Sequence, residues 1–469
     1  MEQALAAYVA RASGSPTLRV AVSDQVPAGR GLVTTGAVQA GETVLRLPPS
    51  VLLNPSQMAR GRPVPWAPLR HAEEPCPNAR PLSTHQLLAC VLAQWRAARV
   101  AGPSTELSDR DAFFASMPSA FPTVPLSWAL DGDTQLLSAL PPRAARLHDK
   151  VQARFEADWR RLDALDEATR ASIWASVSRP GIPAVRPRKA DVLWGWLCVN
   201  SRCVYVDLRY VRHEDNFTLA PLLDMANHTF VQGKQCKVRY SAEGMELCAP
   251  AQCGLQAGDE VCITYGPHTN ATLLTEYGFL LAPRDALRGA SAWDGNPHAE
   301  LAVDDAIAER FRAEGDEGAW KVQRLKEEGY SGDYTMHPEP APAHVSHRLL
   351  MALWLLSMAM ENKHTTQRLS LRARAALQAK QGLRCVYSPK EAARQWKQVT
   401  YGMPDSRHER PMRDVLCRLC TEMAEQRSAL LEQLQGRHDE PASLVRLLLE
   451  EERDIAHRVQ TSAERGEAW

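Results

Sequence analysis

The segment Asp224-Met225-Ala226-Asn227-His228 brings a carboxylate, an amide and an imidazole close together in an apolar stretch. A Ser-His-Asp hydrolase would need a nucleophile elbow of the form GxSxG, and the sequence contains none. A metal site would need further His or carboxylate ligands nearby. The structural alternative is a turn in which Asn227 and His228 bond to the backbone.

Two further segments carry glycine or arginine where a ligand could approach. Gly29-Arg30-Gly31-Leu32 follows a predicted strand, and glycine lets the backbone approach a ligand closely or adopt a positive φ. It is not a dinucleotide fingerprint, because GxGxxG is incomplete and no helix is predicted after it. Ser201-Arg202 ends a helical pattern; its guanidinium suits a carboxylate ligand, although such a residue is often a solvated charge.

A tyrosine stands at the end of a short apolar strand. The turn 258–260 leads into Val261, Ile263 and Tyr265, which share one face of a strand because side chains alternate. The Tyr265 hydroxyl would therefore end an apolar wall, and Gly266 lets the chain turn away. The alternative is ordinary core packing, in which the hydroxyl needs only a bonding partner.

In this order along the chain, the four segments resemble the SET-domain methyltransferases. The resemblance is to the branch whose SET domain is split by a long helical insert, which includes the Rubisco large-subunit lysine methyltransferase. Each motif is common alone, but four in order over residues 15–285 are specific. The closely spaced cysteines of many histone methyltransferases are missing after Phe279. That absence fits the split branch and disfavours a histone substrate.

The resemblance implies S-adenosylmethionine as the cofactor, no metal, and Tyr265 as the active-site tyrosine. Arg202 would meet the methionine carboxylate, while Asn227 and His228 would contact the cofactor's amino group and adenine. Phe279 is the candidate aromatic residue that packs on adenine. The full set assigned to the cofactor is Ala28, Gly29, Arg30, Arg202, Asp224, Met225, Ala226, Asn227, His228, Tyr277 and Phe279.

The predicted fold is α+β: a SET-domain β-fold of short strands, split by a helical insert and followed by an all-helical C-terminal domain. The predicted parts are the N-terminal SET part at 1–82, the insert at 83–197, the C-terminal SET part at 198–285, a loop-rich linker at 286–342 and a helical substrate-binding-like domain at 343–469.

Several local patterns support that outline. Ser83 and Gln86 form a capping box that predicts a helix start. Residues 236–249 alternate around a Gly-containing turn and predict a hairpin. The ranges 349–360 and 367–379 have helical spacing, whereas the first eighty residues favour short strands.

Composition excludes some partners. The chain has 469 residues, with Lys+Arg 55 equal to Asp+Glu 55, which argues against duplex nucleic acid or an anionic membrane surface. No secretory signal is expected from the N-terminal residues. The 11 cysteines are odd in number and scattered, as suits reduced thiols in cytosol or nucleus. Cys417 and Cys420 form a lone CxxC, for which two buried small side chains are the better interpretation.

The functional hypothesis is therefore a protein-lysine N-methyltransferase that acts as a monomer on a non-histone protein, with ribosomal or translation proteins as the substrate class. Histidine methylation is the first alternative. An imidazole target would want a polar neighbour, and the apolar Val204 near Arg202 favours lysine. A catalytically silent SET scaffold is the second alternative, which loss of Tyr265 or of Asn227-His228 would have indicated; all three residues are present.

Overall fold

A computed structural model describes residues 2–15, 17–58, 82–101, 109–175, 185–208, 215–281, 293–360, 384–402 and 406–469. The chain packs into two compact units. The first unit comprises residues 1–127, 147–268 and 275–278, and the second comprises 128–146, 269–274 and 279–469. Within the described ranges, no helix is both long enough and apolar enough to cross a bilayer.

The helices of the described residues are α1 (Glu2–Ser13), α2 (Pro55–Met58), α3 (Thr84–Ala101), α4 (Asp109–Ala115), α5 (Pro125–Asp131), α6 (Thr134–Ser138), α7 (Pro142–Asp163), α8 (Glu167–Ala175), α9 (Lys189–Arg202), α10 (Asn270–Tyr277), α11 (Asp304–Ala313), α12 (Asp316–Glu327), α13 (His347–Leu356), α14 (Pro389–Thr400), α15 (Glu409–Gln433) and α16 (Glu440–Arg465).

The strands are short: β1 (Val20–Ser23), β2 (Gly31–Thr34), β3 (Thr43–Leu47), β4 (Val204–Tyr205), β5 (Phe217–Thr218), β6 (Asn227–His228), β7 (Lys237–Ser241), β8 (Gly244–Cys248), β9 (Cys262–Ile263), β10 (Leu301–Ala302), β11 (Thr335–His337), β12 (His344–Val345), β13 (Met358–Met360) and β14 (Cys385–Tyr387). In the first unit they form the sheets β1-β2, β3-β8-β7, β4-β5 and β6-β9. In the second unit they form β10-β11-β12 and β13-β14.

Helices separate the first three strands from the later strands of the first unit, as the sequence predicted. α3 and α9 pack closely, because a Cβ on Gly195 would come within 2.6 Å of the Ala89 carbonyl oxygen. The capping box at the start of α3 is confirmed: the Gln86 amide N–H donates to Ser83 Oγ over 3.1 Å, and the Ser83 N–H donates to Gln86 Oε1 over 3.0 Å. The predicted hairpin is confirmed as β7 and β8.

The prediction of short strands for the first eighty residues is wrong at residues 2–13. Residues 2–13 form α1, which buries Leu5, Tyr8 and Val9. These three positions follow helical spacing, and their burial against the core favours a helix over an extended segment. Val51–Leu53, predicted as a strand, contributes only the bridge from Leu53 to Leu219.

The prediction of loops over 286–342 is also wrong where the structure describes it, because α11, α12, β10 and β11 lie there. α11 and α12 are strongly charged and bury few apolar side chains, among them Ile307, Phe311 and Leu325. Acidic residues begin each helix and basic residues end it, which favours the helix dipole. The low apolar content concealed the helical period.

The C-terminal region is helical, with short strands added. α13 ends at Leu356, so the predicted helix 349–360 is too long, and β13 follows it in parallel pairing with β14. α14, α15 and α16 lie in the region 343–469 that was predicted to be helical. The helix predicted at 367–379 lies outside the described residues.

Candidate active site

Segments from distant parts of the chain meet in the first unit. β2 is joined to the turn before β9 by a bridge between Val33 and Glu260. β6 pairs in parallel with β9, with Asn227 opposite Cys262. Because β6 carries the Asn-His pair, β9 leads to Tyr265 and β2 follows the glycine loop, the pairing and the bridge together bring three of the four sequence motifs close to one another.

The glycine loop before β2 has two glycines with different roles. Gly29 adopts φ +85°, and its N–H closes a turn on the Val26 carbonyl over 2.8 Å. Ala28 and Gly29 are exposed. Gly31 is buried, and a Cβ there would lie only 2.5 Å from Asn227 Nδ2. The close approach of the Asn227 amide therefore requires glycine at position 31.

Arg30 anchors the loop through its side chain. Its guanidinium pairs with Glu2 of α1 over 2.9 Å and donates to the Ser116 carbonyl over 3.1 Å. Its own carbonyl accepts from Asn227 Nδ2 over 3.0 Å. The contributions of Glu2 and Ser116 were missed, because no motif connects residues so far apart in the sequence.

The Asn227 and His228 side chains have defined hydrogen-bond polarity. Asn227 Nδ2 donates to the Arg30 carbonyl and, over 2.8 Å, to Glu260 Oε1. His228 Nδ1 accepts from the Tyr265 backbone N–H over 3.1 Å, so the neutral imidazole carries its proton on Nε2. The pair therefore carries an acceptor at Asn227 Oδ1 and an N–H donor at His228 Nε2.

The Tyr265 hydroxyl is fixed as a neutral group. It donates to the Ala226 carbonyl over 2.9 Å, and burial raises the pKa of Tyr265 well above its usual value. Its ring lies 5.2 Å from that of Tyr277 at an interplanar angle of 27°. Because its proton is already donated, the hydroxyl oxygen can accept a hydrogen bond from another group.

Tyr277 is held through the residue before it. Asn200 Nδ2 donates to the carbonyl and, over 2.8 Å, to Oε2 of Glu276, and Arg154 pairs with the same carboxylate over 2.8 Å. Burial raises the pKa of Tyr277. Phe279, the predicted adenine-packing residue, belongs to the second unit and remains a candidate.

Arg202 and Asp224 form a buried pair. Arg202 Nη1 donates to the Asp224 carbonyl over 2.9 Å and to Oδ2 over 3.3 Å. Burial raises the pKa of Asp224, and the Arg202 charge opposes that rise. Asp224 Oδ1 is buried and has no hydrogen-bond partner among the described residues. The backbone just before this pair is strained, with Leu222 at φ +67°.

The structure thus brings together the glycine loop, the Asn-His pair and Tyr265, with Ala226 as a bonding partner and Met225 buried beside it. The sequence pattern placed Glu260 in a turn and indicated no role for it in the site. In the described part of the chain, no three His, Cys, Asp or Glu side chains cluster closely enough to hold a metal ion.

Comparisons with known proteins agree with this geometry. A sequence profile described as "SET domain" matches residues 29–266. Ribosomal lysine N-methyltransferase set11 of Schizosaccharomyces pombe is 30% identical over 142 residues, covering 30% of this chain and 31% of that protein. SET domain-containing protein 4 of Mus musculus is 28% identical over 359 residues, covering 72% of this chain and 70% of that protein.

A second yeast protein, ribosomal lysine N-methyltransferase 2 of Saccharomyces cerevisiae, is 30% identical over 34% of this chain and 32% of its own length. The chain therefore matches about a third of each yeast enzyme. The solved structure of Rubisco LSMT bound to AdoMet superposes with a TM-score of 0.56 at 15% identity, covering 99% of this chain and 92% of that one. That similarity shows a shared fold.

Proposed function

The chain belongs to the SET-domain family, and we propose that it is an S-adenosylmethionine-dependent protein-lysine N-methyltransferase acting on a non-histone protein. The observation that carries the proposal is the meeting of Asn227, His228 and Tyr265 at the β6-β9 pair. Solved Rubisco LSMT structures with AdoMet, or with lysine and AdoHcy, share the fold.

The residues present fit the cofactor. Gly31 lets the Asn227 amide pack directly against the glycine loop, and Asn227 Oδ1 is an acceptor for the cofactor's amino group. Among the described residues, only Nη1 of the Arg202 guanidinium has a bonding partner, so Nε and Nη2 are left to receive a carboxylate. The bound cofactor supplies an electrophilic methyl group on a sulfonium. Positioning of the two reactants is what the protein contributes most to such a transfer.

The acceptor amine must be neutral to attack. A lysine with the usual pKa of about 10.4 is protonated at pH 7, and deprotonation costs about 4–5 kcal/mol. An apolar channel near a positive sulfonium lowers that cost by desolvation and charge repulsion. Tyr265 would accept a hydrogen bond from the amine N–H and so orient its lone pair. Because the Tyr265 pKa is raised, the tyrosine positions the amine and does not act as a base.

Asp224 pairs with Arg202 next to the Asn-His segment and so holds the Arg202 guanidinium in place. A histidine target would need a polar partner for its ring, and the residue near Arg202 is Val204, which supports lysine.

The substrate class is proposed from the relatives named ribosomal lysine N-methyltransferases. Ribosomal or translation proteins are the first candidates, which suits an enzyme of the cytosol or nucleus that works as a monomer. We assign the helical region 343–469 to binding of the protein substrate, by analogy with the fold.

Calorimetric titration with S-adenosylhomocysteine tests the cofactor half of the proposal. We expect binding by the wild-type chain and at least tenfold weaker binding by Arg202→Ala. Since Arg202→Ala also unpairs Asp224, the double variant Arg202→Ala/Asp224→Asn keeps the charge balance and should be equally weak. Arg239→Ala, on the exposed strand β7, is the matched control and should bind normally. No binding by the wild-type chain would refute the proposal.

Transfer to protein is tested by incubating the chain with labelled S-adenosylmethionine and a cell extract, then locating the label by mass spectrometry. Label on lysine of a ribosomal or translation protein is the expected result. Label on histidine would reject lysine as the target and support the first alternative, histidine methylation. Cofactor binding without any methyl transfer would support the second alternative, a catalytically silent SET scaffold.

A further inference from the structure

The side-chain amide nitrogen of Asn227 donates to two hydrogen-bond acceptors. The Arg30 carbonyl lies 3.0 Å from Nδ2, and Glu260 Oε1 lies 2.8 Å from the same atom. An amide has two donor hydrogens on nitrogen, and both are used here. Among the described residues Oδ1 has no hydrogen-bond partner. The orientation of the amide is therefore fixed, with its oxygen left for a donor.

Glu260 is itself fixed. Its backbone is bridged to Val33 of β2, and its Oε1 accepts from Asn227 Nδ2 over 2.8 Å. Glu260 stands two residues before Cys262 of β9. Cys262 stands opposite Asn227 in the parallel pair. The carboxylate is thus placed by the same strand pair as the amide that it orients.

We propose that Glu260 is a positioning residue that holds the Asn227 amide with Oδ1 toward the ammonium group of S-adenosylmethionine. The inference rests on the proposed function, because it needs the cofactor to bind at Asn227. The ammonium is the cofactor's strongest hydrogen-bond donor and needs an acceptor. A reversed amide would present two N–H donors to it and repel it. Glu260 therefore acts on cofactor affinity through Asn227, without touching the cofactor.

Two ligands separate this role from general support of the fold. S-adenosylhomocysteine carries the ammonium, whereas its deamino analogue keeps the adenosine, thioether and carboxylate and lacks only that group. We expect Glu260→Ala to bind S-adenosylhomocysteine at least tenfold more weakly than wild type and the deamino analogue within threefold of wild type. Glu260→Gln, whose Oε1 can still accept from Asn227 Nδ2, should retain both affinities within threefold.

The matched control is Glu246→Ala on β8, which removes a carboxylate paired with Arg46 over 2.6 Å in the same unit and should bind both ligands normally. Thermal melting identifies variants that fold. Equal weakening of both ligands in Glu260→Ala, unchanged binding of S-adenosylhomocysteine by it, or a Gln variant as weak as the Ala variant would each overturn the role of Glu260. Failure of the wild-type chain to bind S-adenosylhomocysteine would instead overturn the proposed function.

Discussion

In the second unit the buried Lys321 ammonium donates to Glu314 and to the Met358 carbonyl and forms an ion pair with Glu317, with contacts of 2.6 to 2.7 Å. In the first unit, by contrast, Asp224 Oδ1 is buried without a hydrogen-bond partner among the described residues. The Asn227 amide uses its nitrogen fully and leaves its oxygen available. The Lys321 cluster is thus a closed network of buried charges, whereas the Asp224–Asn227 segment is an open network, with acceptor oxygens that have no partner among the described residues.

The same contrast extends to one side-chain amide in each unit, the half-buried Asn227 and the buried Asn270. Asn270 of the second unit uses both ends: Nδ2 donates to the Leu281 carbonyl and Glu451, while Oδ1 accepts from the Leu281 N–H and Asn296. A buried polar group that lacks a partner costs stability, and a bound ligand that supplies the partner recovers that cost. The comparison teaches that function in this molecule is to be sought in the open network.

Breaking the closed network should have the largest effect on folding. Lys321→Met leaves two carboxylates without their shared cation, and removal of one partner of a buried ion pair costs about 3–5 kcal/mol. We expect that loss in chemical denaturation, with affinity for S-adenosylhomocysteine unchanged in the folded protein. Lys326→Met, at an exposed position of the same helix, should change stability by no more than about 0.5 kcal/mol. Equal stability of the two variants would contradict the comparison.

A substitution at Tyr265, next to the open network, should lower the methyl-transfer rate and leave the stability of the fold unchanged. Tyr265→Phe removes one hydroxyl, and a hydrogen bond to a polarised partner in a dry site is worth about 1.5–3 kcal/mol. We expect a methyl-transfer rate lower by about tenfold or more, with the cofactor affinity retained. Single-turnover kinetics on the identified substrate measures it, and Tyr240→Phe, on the exposed strand β7, is the control. A normal rate with bound cofactor would make Tyr265 a core residue only.

The smallest expected effect is a pH dependence of stability at Glu451, which accepts a hydrogen bond from Asn270. Burial raises the pKa of Glu451 to about 8, against about 4.3 in an unfolded chain. Between these pH values the folded protein holds a proton that the unfolded chain loses, so the free energy of unfolding falls as pH rises. Glu451→Gln keeps an acceptor for Asn270 and removes the penalty.

Thermal melting of Glu451→Gln should therefore show a Tm a few degrees above wild type at pH 8, with the gap closing toward pH 4.5. The exposed Glu432→Gln should show no such trend. A gap that stays constant with pH would mean that the glutamate is ionised in the folded protein. Part of the effect is screened by water, since Glu451 is only partly buried.

Local signals in the sequence were enough for many elements. Ser83 and Gln86 sit three residues apart and form both capping bonds, and the hairpin formed by β7 and β8 needs only alternation around a turn. The long C-terminal helices α15 and α16 show their period directly. Charged helices such as α11 were not predicted, because few of their residues are buried and the helical period of apolar residues is weak.

By itself, the sequence determined which residues we propose for the chemistry: Asn227, His228 and Tyr265 are selected from their types and order. Only the tertiary structure decided how each is oriented. The partners that orient Asn227 are Arg30 and Glu260, from far along the chain on either side. The physical reason is that hydrogen-bond polarity at a site depends on which acceptors packing brings behind each side chain, and no local pattern encodes contacts between such distant segments.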